Sequence, residues 1–209
     1  MDLKVLFADA HLLAFDKPAG LLCVPGRGAD KQDCLATRAR SQWPDALVVH
    51  RLDMATSGVV LMARGTAMQR RLSIAFAARA TDKQYVAVVD GLVEHDSGEI
   101  ALPLAADWPR RPLQKVDPDH GKPSLTRYRV LQRDAVANTT RLALQPVTGR
   151  SHQLRVHLLA LGHPIVGDAL YAPPGVRNQS PRLMLHAQSL HVDHPRTGEA
   201  IHITSELPF

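Results

Sequence analysis

The chain has 209 residues, 45% of them hydrophobic, and carries 25 Lys and Arg against 20 Asp and Glu for a formal net charge of +5. That length and apolar content are enough to bury a core without staples, in one domain or in two small lobes sharing a cleft. The two cysteines, Cys23 and Cys34, exclude a disulfide framework, and neither lies in a Cys-x-x-Cys pair, so the usage fits a reducing compartment.

The first residues, MDLKVLFADAHLLAFDK, mix charges into their apolar positions and lack the pattern of a signal peptide. Nothing further on approaches the roughly 20 consecutive apolar residues that span a bilayer. A soluble, cytoplasmic protein is expected. The basic excess favours polyanionic partners, and its arginines cluster at Arg38 with Arg40, at Arg70-Arg71 and at Arg110-Arg111. A planar guanidinium suits phosphate, although each cluster fits a solvated face equally well. Aromatic residues make up only 4% of the chain, so RNA binding on an aromatic-studded strand platform is not expected.

In chain order, Leu3 to Phe7 and Leu12 to Phe15 read as two short strands around an Asp-Ala-His turn, followed by the Pro- and Gly-punctuated loop DKPAGLLCVPGRG. A helix is predicted over residues 33–43, ended by Pro44. Short β-type runs at residues 47–49 and 58–62 flank the stretch HRLDMATSG. Residues 66–79 predict a helix with Thr66 as N-cap and Met68, Leu72, Ala75, Phe76 and Arg79 along one face. DKQYVAVVDG reads as a strand ending at Gly91. The Pro- and Arg-rich stretch from Ile100 to Lys122 reads as a long functional loop or as a hairpin inserted into the sheet.

Residues 124–131 and 140–144 alternate as strands do. TGRSHQLRVHLLALGHP is the clearest helix, opened by Arg150, with Leu154, Leu158 and Leu161 on one stripe and Gly162 as its C-terminal cap. RLMLHAQSLHV and EAIHIT close the chain as two more strands. The expectation is one α+β domain over residues 1–209 in which strands outnumber helices.

Several motifs fail. GKPS at residues 121–124 lacks the glycine and residue order of a phosphate-cradling loop, and no Gly-x-Ser-x-Gly surrounds Ser57, Ser73 or Ser151. Eleven histidines invite a metal reading, but His186 and His191, five apart on a predicted strand, point to opposite faces. Asp53 on its inter-strand loop, Tyr85 on a strand and Arg150 remain as candidates for chemistry. Spacing alone leaves each open to an ordinary role: a loop-capping carboxylate, a core aromatic, a surface charge.

HRLDMATSGVVLMAR resembles the catalytic signature of the RluA family of pseudouridine synthases, His-Arg-Leu-Asp-x-x-Thr-Ser-Gly before an apolar strand, at all seven fixed positions. DKPAGLLCVPG, DKQYVAVVDG, TGRSHQLRVHLLALGHPIVGD and RLMLHAQSLHVDHPRTGE are similar to further segments of the family, in the same order. DWPRRPLQKVDPDHGKPSLT is similar to the middle segment of its small branch, which has only a catalytic domain and no N-terminal S4-type module. The resemblance implies an α+β catalytic domain with a central, mostly antiparallel mixed sheet, helices and loops flanking an active-site cleft. It implies isomerisation of uridine in 23S rRNA and in the anticodon stem-loop of certain tRNAs, with no cofactor and no metal. Asp53 would be the catalytic carboxylate, Arg150 the arginine that pairs with it, and Tyr85 the tyrosine against the target base and a candidate for deprotonating C5. Arg51, two residues before Asp53, would take the place of the flipped-out base, and His50 would contact RNA phosphate or satisfy a local backbone group. Thr56, Ser57 and Gly58 would support the loop. A monomer is expected. A non-catalytic RNA chaperone and a metal-dependent hydrolase built on the C-terminal histidines are the competing readings.

Overall fold

A computed structural model describes residues 3–209. Its strands are β1 (Lys4–Ala8), β2 (Leu12–Lys17), β3 (Ala46–Val48), β4 (Ser57–Arg64), β5 (Thr81–Asp90), β6 (Ser97–Ala101), β7 (Leu104–Ala106), β8 (Gln114–Val116), β9 (Leu125–Asp134), β10 (Thr139–Pro146), β11 (Leu185–Asp193) and β12 (Ala200–Thr204). The helices are α1 (Leu35–Gln42), α2 (Gly65–Ala77), α3 (Gln153–Ala160) and α4 (Pro174–Arg177). This is the expected α+β class. The chain forms two compact units, one of residues up to Lys83 together with His186–Pro208, the other of Gln84–Leu185 with Phe209.

In the first unit β2 is flanked by β1 and β4, both antiparallel to it, and β4 also pairs antiparallel with β3. β11 runs parallel to β4, with His186 opposite Ser57 and Ala187 opposite Gly58, and β12 pairs antiparallel with β11. The run SGVVLMA of β4 is buried at every position, the mark of a strand covered on both faces. One face packs Leu12, Ala14, Val59, Leu61 and Ala63 against Leu72, with Met68 and Phe76 beside it. On the other, Phe15 meets the Trp43 ring edge-on just beyond α1. Cys34 caps α1, its sulfur accepting from the Thr37 amide at 3.4 Å.

Thr66 is not the N-cap of α2. The helix already begins at Gly65, behind Arg64, with no side chain capping it. Its far end also falls short of Arg79, which adopts φ 60° while Ala80 N donates to Ala75 O and Arg79 N to Phe76 O. This is the Schellman closure usually given to glycine, and it stops the helix two residues early.

In the second unit β10 lies between β5 and β9, and β6 extends the sheet beyond β9, all antiparallel. β10 alternates strictly, with Thr140, Leu142, Leu144 and Pro146 inward. β6 and the short α4 have no counterpart among the predicted elements. The Pro- and Arg-rich stretch does hold a hairpin, β7–β8, but this forms a separate two-stranded sheet rather than an insertion into the larger one. α3 starts at Gln153, so Arg150 lies in the turn before it, not in its first turn. Polar residues of α3 are buried along with the apolar stripe: Arg155 forms an ion pair with Asp168 at 2.6 Å, the two side chains 4% and 1% exposed. Gly162, with φ 91°, closes the helix as expected.

Candidate active site

HRLDMATSG forms the connection from β3 to β4, and the first unit braces it from three sides. Lys17, with 0% exposure, spends its three ammonium hydrogens on backbone carbonyls: Pro18 O at 2.9 Å, Leu21 O at 2.8 Å and Met54 O at 3.0 Å. Met54 O also accepts from Gly20 N at 2.8 Å, so the carbonyl just after Asp53 is tied to the Lys-Pro-x-Gly turn. Before Asp53, Leu52 N donates to the sulfur of Cys23 at 3.2 Å. Burial, the largest influence on it, pushes the Cys23 thiol up, so it stays neutral beside the loop. Within the loop, Thr56 N donates to Asp53 O at 3.2 Å.

Where the loop becomes strand, the Ser57 hydroxyl meets His186 Nδ1 at 2.8 Å. Gly58, with φ 111°, runs so close to β11 that a Cβ would lie 2.2 Å from Ala187 O. No side chain fits there, which explains the glycine in the signature. The result is a loop whose backbone is fixed on both sides of a half-buried carboxylate, Asp53, with Arg51 exposed to solvent.

His50 faces inward. Its Nε2 accepts from Leu61 N at 2.9 Å, and its ring stacks on Phe76 at 4.4 Å between centroids. Leu61 lies on β4 between the stretch paired with β3 and the stretch paired with β11, so its amide would otherwise go unmatched. Burial pushes the pKa of His50 down to about 3, with nearby Lys83 adding to the effect. Of its two expected roles, the backbone contact is the one present.

Tyr85 and Arg150 belong to the second unit. Tyr85 is half-buried on β5, opposite Leu144 of β10. The Arg150 turn is organised by Gln153: its Oε1 accepts from Thr148 Oγ at 2.7 Å and from Arg150 N at 3.0 Å. Its amide nitrogen donates to Leu125 O and Thr126 Oγ, both at 3.0 Å. Next to it His152 adopts the left-handed region at φ 54° and meets the Tyr171 hydroxyl at 2.6 Å. The Arg150 Nε–H is buried with no hydrogen-bond partner among the described residues. Such a donor is costly unless a ligand meets it.

Composition and spacing assigned no site role to Lys17, Cys23, His186, Gln153 or Tyr171. The only available signal was that the first four lie inside the segments that resemble the family, while Tyr171 lies in none of them. The C-terminal histidines do not converge: His186 is buried on Ser57, His191 is exposed, and His194 Nε2 meets Asp9 at 2.9 Å. Among the described residues the one group with metal-ligand spacing is Asp117, Asp119 and His120, inside the segment DWPRRPLQKVDPDHGKPSLT and apart from the C-terminal histidines in sequence. No helix among them is long and apolar enough to cross a membrane.

The model of one family, RNA pseudouridylate synthase, matches residues 11–160, a span that includes the Asp53 loop, β5 with Tyr85 and the Arg150 turn. The chain belongs to the RNA pseudouridylate synthase family. More particularly, it is 48% identical over 205 residues to the dual-specificity RNA pseudouridine synthase RluA of Yersinia pestis, covering 98% of this chain and 99% of that protein. It is 50% identical over 199 residues to the protein of the same name from Escherichia coli K12, covering 95% and 90%. Among solved structures it is similar to human RNA pseudouridylate synthase domain containing 1, with TM-score 0.83 and 29% identity over 100% of this chain and 84% of that one.

Proposed function

We propose that the protein isomerises uridine to pseudouridine in RNA, acting on 23S rRNA and on the anticodon stem-loop of certain tRNAs as a cytoplasmic monomer that uses neither cofactor nor metal. The observation that carries this reading is the Asp53 loop: all seven fixed residues of the signature are present, and the backbone on either side of the carboxylate is anchored by Cys23 and Lys17. The dual specificity rests on relatives about half identical to this chain whose names carry it.

The isomerisation breaks the bond from ribose C1′ to N1, turns the detached base and joins C5 to C1′. C5 gives up a proton and N1 gains one, so the balance closes without redox chemistry. A carboxylate can start this by attacking carbon or by taking a sugar proton, and either needs Asp53 ionised and held still. Tyr85 packs against the base and takes the C5 proton. Arg150 is the arginine that the motif pairs with the carboxylate, and its unmatched buried Nε–H is a donor ready for an anionic or carbonyl oxygen.

A uridine in a folded stem-loop must leave its stack, at a cost of a few kcal/mol. Arg51, exposed and two residues before Asp53, fills the gap. His50 supports the loop from beneath. The test is incubation of the protein with transcribed tRNA and 23S rRNA fragments followed by pseudouridine mapping at single-nucleotide resolution. Conversion at defined uridines in both supports the reading, and conversion in neither overturns it.

A further inference from the structure

The β7–β8 hairpin carries a feature that neither the signature nor the core explains. Trp108 is one of two tryptophans in the chain and is 66% exposed, an unusual place for the largest apolar side chain. The guanidinium carbon of Arg111 lies over it, 3.5 Å from the ring centre. Around the pair the backbone is fixed: Asp107 N donates to Leu113 O at 2.9 Å, and Leu113 N to Arg110 O at 3.0 Å. Asp107, itself buried, accepts from Arg110 Nε at 2.7 Å. The start of β8 is pinned as well, since Gln114 N donates to the Tyr171 hydroxyl at 2.9 Å. The tryptophan is therefore presented by a rigid turn.

We infer that the Trp108–Arg111 pair is a stacking contact for an unpaired nucleotide of the RNA substrate, the base lying on the indole and its phosphates meeting Arg110, Arg111 and Lys115. This rests on the function proposed above. Charges alone would serve any acidic partner, but a flat indole beside a guanidinium offers a base face and a phosphate their own partners at one point. In A-form duplex RNA the base faces are hidden, so only a loop, bulge or end can use the ring. The low aromatic content still argues against a strand platform. A single ring at the tip of a hairpin needs none.

The test uses the full-length protein in two forms. In a Trp43→Phe background Trp108 is the sole tryptophan, and its fluorescence is titrated with a tRNA anticodon stem-loop and with a perfect RNA duplex of equal length. Saturable quenching by the stem-loop, at least about five-fold tighter than by the duplex, is the expected result. Alongside, Trp108→Ala should raise KM for the stem-loop roughly 5- to 100-fold with kcat within about two-fold of wild type, and Trp108→Phe should restore most of the loss. Unmoved fluorescence, equal quenching by the duplex, an unchanged KM in Trp108→Ala, or a fall in kcat alone would each overturn the inference. Failure of the wild-type protein to convert any uridine would instead overturn the proposed function, because that readout does not depend on Trp108.

Discussion

Lys17→Met removes a buried ammonium while leaving its three carbonyl acceptors in place. Each hydrogen bond from a charged donor contributes about 1.5–3 kcal/mol net, so the three together hold roughly 5–9 kcal/mol. Against this stands the cost of desolvating the ammonium, several kcal/mol, which the methionine no longer incurs. The loss wins, because Pro18 O and Leu21 O lose the donor that met them, while Met54 O keeps only the amide of Gly20. A net destabilisation of about 3–5 kcal/mol is expected, the range for removing one partner of a buried charged contact. For a chain of this size that lowers Tm by roughly 6–20 °C, measured by circular dichroism at neutral pH. At a temperature where both proteins are folded, turnover should also fall, because the carbonyl released is the one next to Asp53. A Tm within about 3 °C of wild type would refute the reasoning, since it would mean that the three contacts offset nothing more than the desolvation.

His50 makes stability pH-dependent. The unfolded chain protonates this ring near pH 6.5 and the folded chain only near pH 3, so stability is full above 6.5 and is lost as pH falls toward 3. At pH 5 that amounts to about 2 kcal/mol; His50→Gln, compared with wild type by urea unfolding at pH 7 and pH 5, should lose correspondingly less, and parallel losses would exclude His50 as the source. Arg51→Ala should lower kcat/KM on structured stem-loops by ten-fold or more, about 1.4 kcal/mol, with a much smaller effect on a flexible single strand. An equal loss on both RNAs would argue against the flipping role.

Much of the fold was legible because its signal is local. The alternation of β10 and the apolar run of β4 each follow from which faces are covered. The misreadings arise where tertiary contacts override the local pattern. Thr66 has the right chemistry for an N-cap, but the strand before α2 passes directly into the helix at Gly65. Arg150 stands before α3 rather than in it because Gln153 folds the preceding turn around its own side-chain amide.

The candidate site divides in the same way. Asp53 and Gly58 could be found from their motif, and the glycine has a steric cause in the approach of Ala187. The inward role of His50 depends on a gap in strand pairing at Leu61, which no sequence pattern announces. Lys17 was hidden for a related reason: it joins its own turn to a carbonyl 37 residues away.

The central claim is that the carboxylate of Asp53 performs the chemistry. Its most direct test is pseudouridine mapping on tRNA and 23S rRNA fragments treated with wild type or with Asp53→Asn, with RNA affinity measured on the same samples. The expected result is conversion at defined uridines by wild type, none above background by Asp53→Asn, and affinities within a few-fold of each other. Full conversion by the variant would contradict it.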